Sequence, residues 1–206
     1  MDIMKDIPDK YFELAIVDVE YGIKQGGDKN YTRGCLAVSK NYHSFNDDKS
    51  PDKIYFDELI RISKNQIIWG ANHFMSKIPY NSSCWIVWDK ENGETDFADC
   101  ELAYTSFKSA VRKFKYKWQG MLQEYGGKNK EIRIHPTQKP VALYRWTLQN
   151  YAKQGDKIID THSGSGSLPC ACHLEGFDFL AIEKDYDYWK SSVERYETEI
   201  SQGKLF

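Results

Sequence analysis

The chain has 206 residues, of which 41% are hydrophobic and 28% charged, with a formal net charge of −2. This length and composition suit one α/β domain with a sizeable core, and we expect a single domain over residues 1–206. The small net charge excludes a polycation that binds nucleic acid along its whole surface, so such a partner would need a local basic patch.

The cysteines and the apolar runs exclude further classes of protein. The five cysteines are odd in number and lack paired CxxC spacing, which argues against a disulfide framework or a zinc site and favours reduced thiols in a cytoplasm. No apolar run approaches membrane-spanning length, and the N-terminus lacks the apolar core of a signal peptide. We therefore expect a cytoplasmic protein with no membrane partner.

The first predicted element is a buried parallel strand over Tyr11 to Val17, which runs directly into Asp18. Ligands of open α/β sheets bind outside the carboxyl ends of the strands, so this acid is well placed for a functional site. Residues 24–52 are polar and contain glycine and proline. They predict either a mobile loop that covers a site or a solvated insertion.

The middle of the chain predicts a helix and three strands. Ile54 to Ile62 has helical spacing, and Gln66 to Trp69 reads as a strand. Two alternating apolar runs, Cys84 to Trp88 and Leu102 to Phe107, flank a polar connection and predict an antiparallel hairpin at one side of the sheet.

A basic stretch follows within residues 108–130, where cationic and aromatic side chains alternate from Arg112 to Trp118. The alternation predicts a strand with one basic and one aromatic face. Its basic face is the best local candidate for DNA phosphates, and the alternative is a solvated edge strand protected by lysines. The proposed DNA-contacting residues are Arg112, Lys113, Lys115 and Lys117.

The sequence HPTQKP, from His135 to Pro140, precedes a predicted amphipathic helix over Val141 to Tyr151. Pro140 suits the first helical turn, and Thr137 is a plausible N-cap. Near the C-terminus another amphipathic helix is predicted over Tyr186 to Ile200.

The stretch KIIDTHSGSGS, from Lys157 to Ser167, predicts a buried strand ending in Asp160, a tight glycine loop and the beginning of a helix. A second strand, Phe179 to Ile182, closes with Glu183, 23 residues beyond Asp160 (183 − 160). A unit of this size is typical of the nucleotide-binding half-fold, in which the acid binds ribose hydroxyls. The alternative is a glycine-rich turn in an ordinary α/β protein. The irregular glycine spacing argues against a dinucleotide-dependent oxidoreductase.

The combination of DVEYGI, HPTQKP and DTHSGSGS, in this order, resembles DNA amino-methyltransferases of the permuted group, whose catalytic motif precedes the cofactor motif. The stretches IIWGANHF, SCWIVWDKENG and FADCELAYTSF add to the resemblance, which extends over nearly the whole chain. It implies a Rossmann-like, mostly parallel α/β sheet with an antiparallel hairpin, S-adenosylmethionine as methyl donor, and no metal.

The resemblance also implies residue roles. Asp18 to Tyr21 match the catalytic Asp-Pro-Pro-Tyr, in which the Asp18 carboxylate and the Val19 carbonyl would accept the amine N–H groups and Tyr21 would stack on a flipped base. Three further groups of residues match cofactor motifs. The motif that contacts the methionine moiety is matched by Asp160, Thr161, His162, Ser163, Gly164, Ser165 and Gly166. Glu183 matches the acid that binds the ribose, and a segment that closes over the methionine end is matched by His135, Thr137 and Lys139.

Two departures from the family pattern stand out. Val19 and Glu20 replace both prolines, which removes rigidity and adds a negative charge; His162 stands where a bulky apolar residue is more usual. No segment for a further strand follows Glu183, so the sheet should have fewer strands than the full methyltransferase set or recruit one elsewhere.

The function implied is methylation of adenine N6 in double-stranded DNA by a small enzyme of the bacterial or phage type, as in restriction-modification. Two alternatives stay open: methylation of cytosine N4, and a degenerate protein that binds cofactor or DNA without catalysis. A homodimer also stays open.

Overall fold

The computed structural model describes residues 2–23, 47–93, 98–119, 122–126 and 130–201. The strands are β1, Phe12–Val17; β2, Ser63–Trp69; β3, Trp85–Asp89; β4, Cys100–Thr105; β5, Arg112–Lys115; β6, Trp118–Gln119; β7, Leu122–Gln123; β8, Lys157–Asp160; and β9, Asp178–Ala181. The α-helices are α1, Asp2–Lys5; α2, Lys53–Ile62; α3, Val141–Tyr151; α4, Ser167–Glu175; and α5, Tyr186–Ser201. Two short 3-10 turns, Ala71–His73 and Met75–Lys77, follow β2.

Seven strands form one mixed sheet in the order β5-β3-β4-β2-β1-β8-β9. The β4 strand runs antiparallel to both of its neighbours, and the other six strands share one direction. The predicted α/β class, with a mostly parallel sheet and an antiparallel hairpin, is confirmed. β6 and β7 pair as a separate two-stranded ribbon.

The sheet is covered on both faces, which explains the apolar run from Leu14 to Val17 in β1. Leu14 and Ile16 pack in one core cluster with α3 and α4, whereas Ala15 and Val17 pack in a second cluster with α2. Successive strand residues point to opposite faces, so a strand buried on both faces must be apolar at every position.

The predicted helix before β2 is confirmed as α2. Asp52 is its N-cap, and the carboxylate accepts the Tyr55 N–H at 3.1 Å. Its buried face carries Phe56, Leu59 and Ile62, a spacing that repeats on one side of a helix.

The predicted strand over Arg112 to Trp118 is wrong in its second half. The strand β5 ends at Lys115, although the Tyr116 N–H still donates to the Asp89 carbonyl at 3.0 Å. Trp118 is 6% exposed within the core and belongs to β6. The alternation of charged and aromatic side chains could not reveal that the strand ends at Lys115.

The sheet has seven strands because β5, from the middle of the chain, joins one edge. This agrees with the second of the two expectations, that the sheet recruits a strand from elsewhere. Within the described ranges α5 follows β9 with no strand between them, and β5 is added at the opposite edge beside β3.

The start of α3 differs from the expectation that Thr137 caps it. Pro140 occupies the N-cap position, and the Glu131 carboxylate accepts the Val141 N–H at 3.0 Å. Arg195 from α5 holds this carboxylate at 2.8 Å. The cap therefore depends on residues distant in sequence, which a local sequence pattern cannot predict.

Of the predicted loop at residues 24–52, residues 24–46 lie outside the described part of the chain, and Asp47 to Asp52 lead into α2. Among the described helices, none has both the length and the apolar character needed to cross a bilayer.

Candidate active site

The carboxyl edge of the sheet gathers acids from distant parts of the chain. Asp18 follows β1, and Asp160 ends the parallel neighbour β8. Glu101 is the second residue of β4, and because β4 runs the other way, its first residues lie at this same edge. The three side chains lie at a cleft of about 1350 Å³, which Asp18 and Glu101 line directly. Asp18 therefore lines a cleft at the carboxyl edge of the sheet, and its place beside a ligand stays a prediction.

The glycine loop occupies one end of the cleft. Gly164 and Gly166 have positive φ angles of 50° and 72°, and Gly166 is the N-cap of α4. A Cβ at Gly164 would have only the His162 carbonyl, at 4.0 Å, as a neighbour, so the backbone here leaves room for a ligand.

Glu183 closes the loop from the end of β9. Its two oxygens accept the Gly164 N–H at 2.7 Å and the Asp185 N–H at 2.9 Å. The Gly164 N–H is therefore not free for a ligand, although glycine loops at helix N-termini commonly direct N–H groups at one. Each carboxylate oxygen keeps a further lone-pair site, so Glu183 can still accept from a ribose diol.

Asp160 lies beneath the loop and is 4% exposed. Its carboxylate accepts the His162 N–H at 2.9 Å. Burial, together with the nearby carboxylates Asp18 and Glu183, raises the pKa of Asp160 to about 8. The group therefore holds a proton at neutral pH.

Asp18 is held by two donors. The Tyr21 hydroxyl donates to one oxygen at 2.9 Å, and the Lys139 ammonium contacts the other at 2.6 Å. Lys139 also contacts Glu101 at 2.9 Å, and Lys90 pairs with Glu101 from the far side. The result is a buried chain of alternating charges that ends at Asp18.

The pKa shifts follow from this arrangement. Burial raises the pKa of Asp18, an effect that the Lys139 ammonium opposes. Burial would also raise the pKa of Glu101, but Lys139 and Lys90 outweigh it and hold the value at about 2. Burial alone would lower the pKa of Lys139, and the two carboxylates raise it instead. Lys139 therefore stays charged.

Tyr21 packs against the turn that follows β2. Its ring stacks on His73, with centroids 5.0 Å apart and planes at 19°. Gly70 makes this approach possible, since a Cβ there would lie 2.0 Å from a Tyr21 ring atom. One face of Tyr21 is thus covered, and its role as a platform for a flipped base stays a prediction.

Glu20 faces the glycine loop. Its carboxylate contacts His162 Nε2 at 3.3 Å and pairs with Lys184, the residue after Glu183. Burial would raise the pKa of Glu20, but these two partners outweigh it and lower it to about 2. The two departures from the family pattern, Glu20 and His162, therefore touch each other. Val19 is 2% exposed and packs in the core.

The residues of HPTQKP separate in space. Lys139 reaches Asp18, and Thr137 is exposed. His135 lines the cleft mouth, with its ring 4.3 Å from that of Tyr188 and its Nδ1 3.0 Å from the Thr137 hydroxyl. Burial lowers the pKa of His135 to about 4, and Lys139 adds to the shift. His135 is therefore neutral at pH 7.

Sequence reasoning missed Glu101 and Lys90. Glu101 lies within FADCELAYTSF, a stretch noted only for its resemblance, and Lys90 follows β3. A strand in which polar and apolar residues alternate, with one acid near its start, gives no local indication that this acid lies in a functional site.

The basic residues of β5 lie away from the cleft. Lys113 and Lys115 pair with Asp89 at 3.5 Å and with Glu91 at 2.8 Å. On the other face, Phe114 stacks on Tyr116 with centroids 5.7 Å apart. β5 is the edge strand of the sheet, and a phosphate would have to compete with these acids for the lysines. Arg112 and Lys117 also lie outside the cleft lining.

Among the described residues, no cluster of three or more His, Cys, Asp or Glu side chains could hold a metal ion. The described cysteines, Cys84, Cys100, Cys170 and Cys172, are free thiols.

Comparisons with known proteins agree with this geometry. The N6/N4 family model described as DNA methylase matches residues 34–194, which is most of the chain but begins after the Asp18 loop. The type II methyltransferase M.HpaI of Haemophilus parainfluenzae is 33% identical over 73 residues, which are 35% of this chain and 23% of that protein. The type II methyltransferase M2.MboI of Moraxella bovis is 28% identical over 170 residues, which are 81% of this chain and 54% of that protein.

The chain thus spans about half the length, or less, of these curated relatives. A crystal structure of an M1.HpyAVI–SAM complex superimposes with a TM-score of 0.54 at 17% identity, covering 94% of each chain. At that identity the likeness establishes the fold.

Proposed function

The chain belongs to the N6/N4 DNA methylase family, and we propose that it transfers a methyl group from S-adenosylmethionine to an exocyclic amine of a DNA base. We further propose that the target is adenine N6 in double-stranded DNA and that the protein acts in the cytoplasm. Methylation of cytosine N4 is the alternative within the same family.

A single observation carries the proposal. A partly buried carboxylate, Asp18, shares one cleft with the glycine loop before α4 and with Glu183. A methyl donor held by the loop and by Glu183 would lie next to Asp18, which is the juxtaposition that amine methylation needs.

The residues present fit S-adenosylmethionine. The open backbone at Gly164 suits its close approach, and the Glu183 carboxylate retains sites for a ribose diol. His135 lines the cleft, and Asp160 supports the loop through the His162 N–H. When bound, this cofactor supplies an electrophilic methyl group on a cationic sulfur.

The chain's own task is to prepare the amine. The lone pair of an exocyclic amine is delocalised into the base ring. An Asp18 carboxylate and a Val19 carbonyl that accept the two N–H groups would draw the nitrogen toward tetrahedral geometry and free that lone pair. Transfer would break the bond between the methyl carbon and sulfur and leave the donor as a neutral thioether. The amine, made cationic by its new N–C bond, would pass one proton to the Asp18 carboxylate. Tyr21 would support the base after it has been flipped from the duplex.

A second candidate is a protein that binds cofactor or DNA without catalysis. The covered ring face of Tyr21 and the missing prolines at Val19 and Glu20 favour it. The cofactor end of the cleft would serve either candidate.

One experiment separates these possibilities. The protein is incubated with S-adenosyl[methyl-³H]methionine and unmodified double-stranded DNA, and the DNA is hydrolysed to nucleosides for chromatography. Label in N6-methyldeoxyadenosine supports the proposal, and label in N4-methyldeoxycytidine supports the alternative base. Absence of label on every DNA tested, with cofactor binding intact, would refute methyl transfer.

A further inference from the structure

Lys139 bridges two partly buried carboxylates, Asp18 and Glu101, which lie far apart in the sequence. Its side chain is 3% exposed, and its ammonium lies 2.6 Å from Asp18 and 2.9 Å from Glu101. The Lys139 backbone is also fixed, since the Ser167 hydroxyl at the start of α4 donates to its carbonyl at 2.7 Å. Lys139 therefore connects the cofactor loop to the proposed catalytic acid.

We propose that Lys139 and Glu101 are positioning residues for Asp18: the lysine holds the acid ionised and aimed, and Glu101 holds the lysine. This inference deepens the proposed function and rests on it for its catalytic meaning. It gives Lys139 a role at the target amine, whereas its motif implied a role at the methionine end.

The charges around Asp18 explain why one lysine matters. Glu101 from β4 adds negative charge next to Asp18, and the phenols of Tyr21 and Tyr144 lie close to it. Among the described side chains, Lys139 is the cation in direct contact with Asp18.

Without the lysine, two buried carboxylates would face each other. Like charges in one desolvated site cannot both stay ionised, so one takes up a proton. Burial already raises the pKa of Asp18, whereas Lys90 still holds Glu101 charged. The proton would therefore settle on Asp18, which would then donate a hydrogen bond where the amine needs an acceptor.

The same reasoning predicts that two variants shift the pKa of Asp18 in opposite directions. Lys139→Met should raise the pKa of Asp18, because it removes the favourable charge. Glu101→Gln should lower it, because it removes the unfavourable one. The charge-balanced double variant, Lys139→Met with Glu101→Gln, should return the pKa toward that of the parent.

The test is a ¹³C titration of the aspartate carboxyl carbons by NMR, with the Asp18 signal assigned from an Asp18→Asn sample. We expect Lys139→Met to shift the Asp18 midpoint upward by about one pH unit or more, which is tenfold in the protonation equilibrium. We expect the double variant to recover part of the shift. Lys64→Met, which removes an exposed lysine paired with Glu13, is the matched control and should leave the midpoint in place.

Single-turnover methyl transfer on the same samples supplies the catalytic readout. The acid limb of its pH profile should follow the Asp18 midpoint from variant to variant, and Lys139→Arg should restore the parental limb. Unchanged Asp18 midpoints in Lys139→Met and Glu101→Gln would overturn the inference, as would a Lys139→Met profile that is lower but not displaced.

The experiments distinguish failure of the proposed methyl transfer from failure of the proposed charge coupling at Asp18. If the parent transfers no methyl group while the midpoints move as described, the proposed function is wrong and the charge coupling stands. If Lys139→Met does not fold, Glu101→Gln still tests the coupling through its downward shift.

Discussion

The protonated Asp160 beneath the glycine loop makes the stability of the fold depend on pH in an unusual direction. An aspartate in an unfolded chain has a pKa of about 3.9, whereas burial raises that of Asp160 to about 8. Between these values the folded chain holds a proton that the unfolded chain has released. The free energy of unfolding therefore falls as pH rises, by about 1.4 kcal/mol per pH unit.

The perturbation is Asp160→Asn. Asparagine does not titrate, and its oxygen can still accept the His162 N–H that Asp160 accepts at 2.9 Å. The contribution of Asp160 is fully present below about pH 4 and is lost as pH rises through about 8. From about pH 5 to about pH 7.5 the variant should therefore gain about 3 kcal/mol relative to the parent.

Urea unfolding of both proteins at several pH values measures this difference, and other titrating groups such as His135 cancel because both proteins carry them. Ser165→Ala, a buried neighbour that removes polarity but no titrating group, is the control, and its curve should stay parallel to that of the parent. A constant difference between Asp160→Asn and the parent across this range would refute the assignment of a proton to Asp160.

Three further predictions concern binding and rate. Glu183→Ala should weaken S-adenosylmethionine binding at least several-fold in calorimetry, because the ribose diol loses its acceptor; equal affinities would show that another group holds the ribose. Replacing Lys113 and Lys115 by glutamine should weaken DNA binding on all sequences and flatten the salt slope by about 2, and an unchanged slope in anisotropy titrations would leave β5 as a solvated edge strand. Replacing Val19 and Glu20 together by proline should lower the methyl-transfer rate several-fold, because the cofactor loop loses a charge-assisted contact; a faster enzyme would mean that the native pair impairs the site.

The elements of the fold could be predicted because their signals are local. Spacing of apolar residues indicated α2, α3 and α5, and apolar runs indicated β1 and β8, all within a residue or so of their observed ends. The general rule that ligands lie at the carboxyl ends of parallel strands also placed Asp18 and Asp160 at one edge.

The contacts that organise the site could not be predicted in this way. Lys139 lies 121 positions from Asp18, and Glu101 reaches the same point only because β4 runs against its neighbours. The cap of α3 by Glu131 and the bond from the Tyr116 N–H to Asp89 are equally non-local, since each depends on a partner that the local sequence does not contain.

Methyl transfer by Asp18→Ala, compared with the parent on the same double-stranded DNA, is the most direct test of the proposed chemistry. The variant should bind S-adenosylmethionine with parental affinity in calorimetry and should lose methyl transfer in a single-turnover assay, because the acceptor acts mainly in the transition state. Tyr21→Ala should lose less, since stacking on one base contributes about 1–3 kcal/mol. Transfer at the parental rate by Asp18→Ala would contradict the role of this carboxylate in polarising the amine.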